Sequence, residues 1–210
     1  VLAGAGLADP PRLIEAAKVA DWAAVRTLLE QGADVTVTAP DGSTALHWVS
    51  YWDDVETAEL LIRRGADVNA ANDLGATPLW IASLNGSASM VRSLLEAGAE
   101  PNAALLSGEA PVMTAARTGS PRVVELLLAA GADPNASATR GQTALMWAVS
   151  QLHSDVVGML LEYGADVHAR SETWSQVMAV PPHSNPANRQ DVPHGGNTAL
   201  TFAARVGDLS

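Results

Sequence analysis

The tripeptide Gly-Ala-Asp or Gly-Ala-Glu begins at Gly32, Gly65, Gly98, Gly131 and Gly164, each 33 residues after the one before. A strict period of this length means one supersecondary unit copied along the chain, and such copies fold by stacking on one another. The same apolar spacing stands upstream of each glycine: Val25, Leu28, Leu29; Ala58, Leu61, Ile62; Val91, Leu94, Leu95; Val124, Leu127, Leu128; Val157, Leu160, Leu161. Positions i, i+3 and i+4 share one helical face, so each segment predicts an amphipathic helix with a single buried stripe. The glycine that follows suits a left-handed C-terminal cap, which a residue carrying a Cβ adopts only with strain.

A second helix is expected ahead of each of these. Its starts read TALHWVS from Thr44, TPLWIAS from Thr77, APVMTAA from Ala110, TALMWAV from Thr143 and TALTFAA from Thr198. Threonine is a good N-cap because its oxygen accepts a bond from an orphaned backbone N–H. Pro78 and Pro111 suit the first helical position, where no donor is needed. Ala82, Ala115, Ala116 and Ala148 leave room for a neighbouring helix. Gly42, Gly75, Gly108, Gly141 and Gly196, two residues before each start, mark a tight turn. One unit is therefore turn, helix, short loop, helix, turn, and only stacking buries its stripe.

Thr44-Ala45-Leu46-His47, Thr77-Pro78-Leu79, Gly65-Ala66-Asp67-Val68-Asn69 and Gly131-Ala132-Asp133-Pro134-Asn135 resemble the T-P-L-H-type start and G-A-D-V-N-type end of the ankyrin repeat. In style the units are closer to bacterial than to animal ankyrin proteins. The resemblance implies an all-α ankyrin-repeat α-solenoid of stacked helix-loop-helix units with hairpin-like turns, and extends over about 160 residues without a break. Residues 1–11 read as an N-terminal tail or linker and 12–170 as five repeats. The first of these lacks the turn and Thr start, as capping repeats often do. The interval from Thr143 to Thr198 exceeds one repeat by 22 residues. The excess falls at about 171–194, where Pro181, Pro182, Pro186 and Pro193 argue for a long loop. Such a loop is either a tolerated excursion or an extra recognition element using Trp174, Val177 and Met178. Residues 195–210 read as an incomplete sixth repeat whose second helix would lie further on.

Twelve Lys and Arg face 23 Asp and Glu, a formal net charge of −11. Nucleic-acid affinity comes largely from basic side chains releasing counterions, so binding to DNA, RNA or an anionic membrane surface is not expected. There is no cysteine, which removes disulfides, thiol catalysis and Cys-type zinc sites. No apolar run approaches the roughly 20 residues that span a bilayer, so no membrane insertion is expected. The chain opens on Val1, and VLAGAG reads either as the tail of a secretory signal or as an ordinary linker. The compartment follows that choice: periplasmic or secreted in the first case, cytoplasmic in the second.

The sequence holds no G-x-S-x-G elbow, H-E-x-x-H helix or Walker-type loop, so catalysis is not expected and no cofactor is implied. The resemblance gives His47 a structural role, bonding neighbouring repeats. His183 and His194 flank the prolines of the insertion but have only Asp191 at ligand spacing, which does not amount to a metal site. Asp34, Asp67, Asp133 and Asp166 form a ladder too widely spaced for acid–base work, and turn hydrogen bonding is the expected role. Trp22, Trp48 and Trp147 read as core. Trp80 takes the histidine position of the third repeat, either packing in place of a hydrogen bond or facing the groove.

The resemblance places partner contacts on a concave face, at the hairpin turn and at the end of each first helix. Carried over position by position, the helix ends supply Tyr51, Trp52, Leu84, Asn85, Arg117, Thr118, Ser150 and Gln151. The turns supply Leu74 and Arg140, with Asp41, Ser43, Ala76, Ser107, Glu109 and Gln142 beside them. Tyr51 and Trp52 are the expected aromatic anchors. The function implied is a non-catalytic protein–protein interaction module, monomeric, whose partner presents a basic patch to the acidic chain. The alternative is a targeting or regulatory region of a larger enzyme or secreted effector.

Overall fold

The computed structural model describes residues 10–179 and 189–206. The VLAGAG opening, Pro181, Pro182, Pro186 and His183 lie outside them. Helices come in consecutive pairs: α1 (Pro10–Lys18) and α2 (Trp22–Glu30), α3 (Ala45–Trp52) and α4 (Val55–Arg63), α5 (Pro78–Asn85) and α6 (Ala88–Glu96). They continue with α7 (Pro111–Thr118) and α8 (Pro121–Ala129), then α9 (Ala144–Ser150) and α10 (Ser154–Glu162), and α11 (Ala199–Val206) follows alone. The first helices pack side by side in the order α1, α3, α5, α7, α9, α11; α4, α6, α8 and α10 form a second row. This is an all-α repeat solenoid.

Several helices begin where a side chain caps the first turn. Thr77 is extended and its hydroxyl accepts the Trp80 N–H at 3.2 Å, while Pro78 occupies the first turn. Asp54 does the same for Thr57 at 2.8 Å and Ser87 for Met90 at 3.3 Å. Such caps contribute about 1 kcal/mol each. Helices within a pair are joined through one left-handed residue, Gly86 and Gly119 in the third and fourth units, Asp53 and Leu152 in the second and fifth.

The predicted stripe is buried but narrower than expected. Val25, Ala58, Leu61, Val91, Leu94, Val124 and Leu127 are completely buried, whereas Leu28, Ile62 and Leu95 are only half covered. In α10 the burial shifts to Val156 and Leu160, leaving Val157 half-buried and Leu161 exposed, because among the described residues no further second helix covers that side. Ala82, Ala115, Ala116 and Ala148 are fully buried where first helices meet.

Two polar ladders set the register between units. At the hairpin tips, Asp73 donates to the Asp41 carbonyl at 2.9 Å, Leu106 to Leu74 at 3.0 Å, Thr139 to Ser107 at 2.8 Å and Glu172 to Arg140 at 2.7 Å, all through backbone N–H groups. On the Gly-Ala-Asp side, the Asn69 amide donates to the Gly98 carbonyl at 3.1 Å and accepts the Glu100 N–H at 2.8 Å. Asn102 repeats this with Gly131 and Asp133, and Asn135 with Gly164 and Asp166. The repeated aspartates act locally, Asp67 and Asp133 each accepting the N–H two residues on at 2.8 Å. Thr36 bonds hold the Asp34 carboxyl below the usual range.

The insertion departs from the expected loop. Trp174–Ala179 and Arg189–His194 pair as antiparallel strands β3 and β4; the shorter β1 (Ser137–Ala138) and β2 (Gln142–Thr143) form the fifth unit's hairpin. Ser171 donates to the Asn197 carbonyl at 2.9 Å, and the same register runs on through Trp174↔His194 to Ala179↔Arg189. The extra residues thus lengthen a hairpin of the kind that precedes the first helix of the second to fifth units. Pro193 is tolerated because in a two-stranded ladder each strand is an edge, where a missing N–H breaks no central pairing.

Candidate protein-interaction surface

The 33-residue spacing brings the ends of the first helices into one row: Lys18 and Val19, Tyr51 and Trp52, Leu84 and Asn85, Arg117 and Thr118, Ser150 and Gln151. Beside it runs the row of hairpin tips, where Leu74 is 69% and Leu106 82% exposed. Tyr51 and Trp52 are each about half exposed, at 50% and 48%. Their rings meet edge to face at 5.0 Å between centroids, and Tyr51 meets Trp48 in the same manner at 6.1 Å.

Several of the expected contact residues also tie the repeats together. The Trp52 indole N–H donates to the Lys18 carbonyl at 3.1 Å. The Asn85 amide donates to the Tyr51 carbonyl at 2.8 Å and the Ser50 carbonyl at 3.2 Å. The Lys18 and Tyr51 carbonyls lie in the last turn of their helices, where intrahelical donors run out, so the second and third units each cap the helix before them. Arg117 pairs with the Glu109 carboxylate at 3.0 Å, and the same oxygen accepts the Thr114 hydroxyl. Thr118 and Ser150 return their hydroxyls to carbonyls of their own helices. Leu84 is half-buried, Gln151 and Arg140 are exposed, and Ser43 and Ala76 are buried and withdrawn from the face.

Trp22, Trp48 and Trp147 are half-buried rather than core. Trp48 and Trp147 stand three residues before Tyr51 and Ser150, on the same helical face, and border the row of helix ends. That i, i+3 relation was present in the sequence and marks both as members of the surface; Leu106 had no such signal. The indole nitrogens of Trp48 and Trp80 are buried without a partner, so Trp80 packs where His47 bonds.

His47 lies beneath this surface. Its Nδ1 accepts the Thr44 N–H at 3.0 Å, and its Nε2–H donates to the Ala76 carbonyl of the next unit at 2.9 Å. Burial pushes its pKa below the ordinary histidine range, against the opposing effects of the Ala76 bond and the Asp41 charge. The Thr44 hydroxyl also lies 2.9 Å from Nδ1, and both residues are buried. Among the described residues no three metal-ligating side chains converge, and no helix is long and apolar enough to cross a membrane.

The family model described as ankyrin repeats (3 copies) matches residues 13–105 and 102–171. No curated protein matches the chain. Ankyrin repeats are generally protein-interaction modules and typically non-catalytic. With most of its length matched and its helix pairs stacked in 33-residue register, the chain belongs to the ankyrin-repeat family.

Proposed function

We propose that this chain binds a partner protein, without catalysis, on the face made by its hairpin tips and the ends of its first helices. Tyr51 and Trp52 are the anchors, with Leu74, Leu84, Asn85, Arg117, Thr118, Arg140, Ser150 and Gln151 completing the contact area. The observation that carries this reading is the pair of half-exposed aromatic rings held edge to face on a packed helix. Rigid aromatics of this kind supply contact area at small entropic cost and dominate many interfaces. A stable complex buries about 1,200–2,000 Å² in total, an area that four adjacent repeats can provide. The net charge of −11 favours a partner with a basic patch, encountered faster at low salt. The chain acts as a monomer in this reading.

The test is affinity capture from lysate with the wild-type chain and with Tyr51→Ala/Trp52→Ala, far-ultraviolet circular dichroism confirming that both remain helical. The double substitution is expected to lose the captured protein. Equal recovery by both would remove this face from the reading.

A further inference from the structure

Lys18 is the single lysine among 210 residues, and it occupies in the first repeat the position that Tyr51 occupies in the second. Its ammonium stands 5.6 Å from the centre of the Trp48 ring, within the range of a cation–π contact. In a chain carrying 23 carboxylates this cation would be expected to find one. Among the described residues it has no ion pair, whereas Arg26, Arg63, Arg117 and Arg122 do. The Trp52 indole holds the Lys18 carbonyl, so the backbone is anchored while the side chain ends in solvent.

We infer that Lys18 is an internal occupant of a cation-recognition site formed by Trp48, Tyr51 and Trp52, which takes an arginine side chain from a basic segment of the partner. This inference rests on the partner-binding reading above and names the chemistry of the central contact. A guanidinium stacks on an indole face better than an ammonium does, being flat and more weakly hydrated. Lys18 is held on the ring by that contact alone, so an incoming arginine displaces it without breaking an ion pair. Asp21, three residues after Lys18, and Asp53, next to Trp52, put negative charge close to the site along the chain, which suits the same occupant.

Lys18 also supplies the assay, because reductive ¹³C-methylation of the chain gives one side-chain signal besides the terminal amine. The probe is hexa-arginine amide titrated into the full chain. In the free protein the Lys18 methyl signal is expected upfield, shielded by the Trp48 ring, and to move to its unshielded position as the peptide saturates. Lys18→Gln, which vacates the ring, is expected to tighten peptide binding roughly two- to five-fold, the worth of one exposed cation–π contact. Arg92→Gln on α6 changes net charge equally and is expected to leave the affinity much closer to wild type. A Lys18 signal that stays shielded at saturation, or equal tightening by both substitutions, overturns the inference. If the captured partner still depends on Tyr51 and Trp52 while Lys18 never leaves the ring, the binding face stands and the arginine assignment alone falls.

Discussion

Replacing Asn102 with alanine tests whether the units are coupled as the ladder of asparagines implies. Its amide donates to the Gly131 carbonyl at 3.0 Å and accepts the Asp133 N–H at 2.8 Å, both in the next repeat. A hydrogen bond contributes a net of about 0.5–1.5 kcal/mol, and here the freed groups are at the surface, where water takes over part of the loss. The expected cost of Asn102→Ala is therefore about 1–2 kcal/mol. With a urea m-value of about 2–3 kcal/mol/M, the unfolding midpoint should fall by roughly 0.5 M. Because the loss falls on an interface between neighbours in a one-dimensional array, the transition should also broaden as the two sides unfold less cooperatively. His168 occupies the equivalent position two repeats on, where its side chain makes no such bridge among the described residues, and His168→Ala serves as the control. A midpoint unchanged to within about 0.1 M, or an equal loss for His168→Ala, would refute the coupling argument.

Four further outcomes follow from the same geometry. Thr36→Asn places an amide opposite Gly65 and Asp67 where the first repeat lacks one, and should raise stability by about 1 kcal/mol in the same urea assay. Leu152 is left-handed at φ +61° and exposed where the third and fourth units have glycine, so Leu152→Gly should stabilise by about 1 kcal/mol, read as a higher melting temperature. Gly75→Ala should be more damaging than Gly98→Ala in thermal unfolding: both are left-handed, but a Cβ at Gly75 would lie 2.9 Å from the Leu106 nitrogen, whereas nothing stands within 4 Å at Gly98. Because burial lowers the His47 pKa on folding while the unfolded side chain titrates at about 6.5, its contribution to stability is complete above that value and declines as pH falls below it. The slope should not exceed about 1.4 kcal/mol per pH unit, and His47→Gln should flatten urea midpoints measured between about pH 7.5 and 5.5.

The repeat period, the caps and the turn glycines were legible because each is local. Thr77 and Pro78 start α5 whatever packs above them, and a glycine at φ +92° ends α4 for reasons contained in one residue. Burial was less legible. Trp48 and Trp147 read as core because an apolar residue inside a helix is indistinguishable by type from one at the edge of a face; only the angle between stacked units decides. The inserted hairpin was hidden for a related reason. Its strands are specified by register with the repeat's own turn, Ser171 opposite Asn197, while local composition with its prolines argues for a loop. The candidate face was legible at Tyr51 and Trp52 by repeat position. The cation on Trp48 was not, because repeat position aligns Lys18 with Tyr51 but says nothing of which way its side chain reaches across to the next unit.

Stability and recognition overlap unevenly on this surface, which decides which substitutions can report on binding. Trp52 and Asn85 use their polar atoms to cap the preceding helix, so removing either side chain disturbs repeat coupling as well as any contact with a partner. Arg117 is paired with Glu109 inside its own unit, so its removal disturbs that unit rather than the coupling between repeats. The Tyr51 side chain, by contrast, touches its neighbours through ring contacts, and the Leu74 side chain projects from a tip whose inter-repeat bond is made by its backbone carbonyl. If the anchors are held in place by the fold, little ordering remains to be done on association. A partner that bonds to this face should therefore be sensitive to Leu74→Ala at unchanged melting temperature and to Tyr51→Ala with only the small stability loss of its ring contacts, whereas Trp52→Ala and Asn85→Ala should lower affinity and stability together. A face on which all four substitutions moved only stability would be a structural seam, and recognition would have to lie elsewhere on the solenoid.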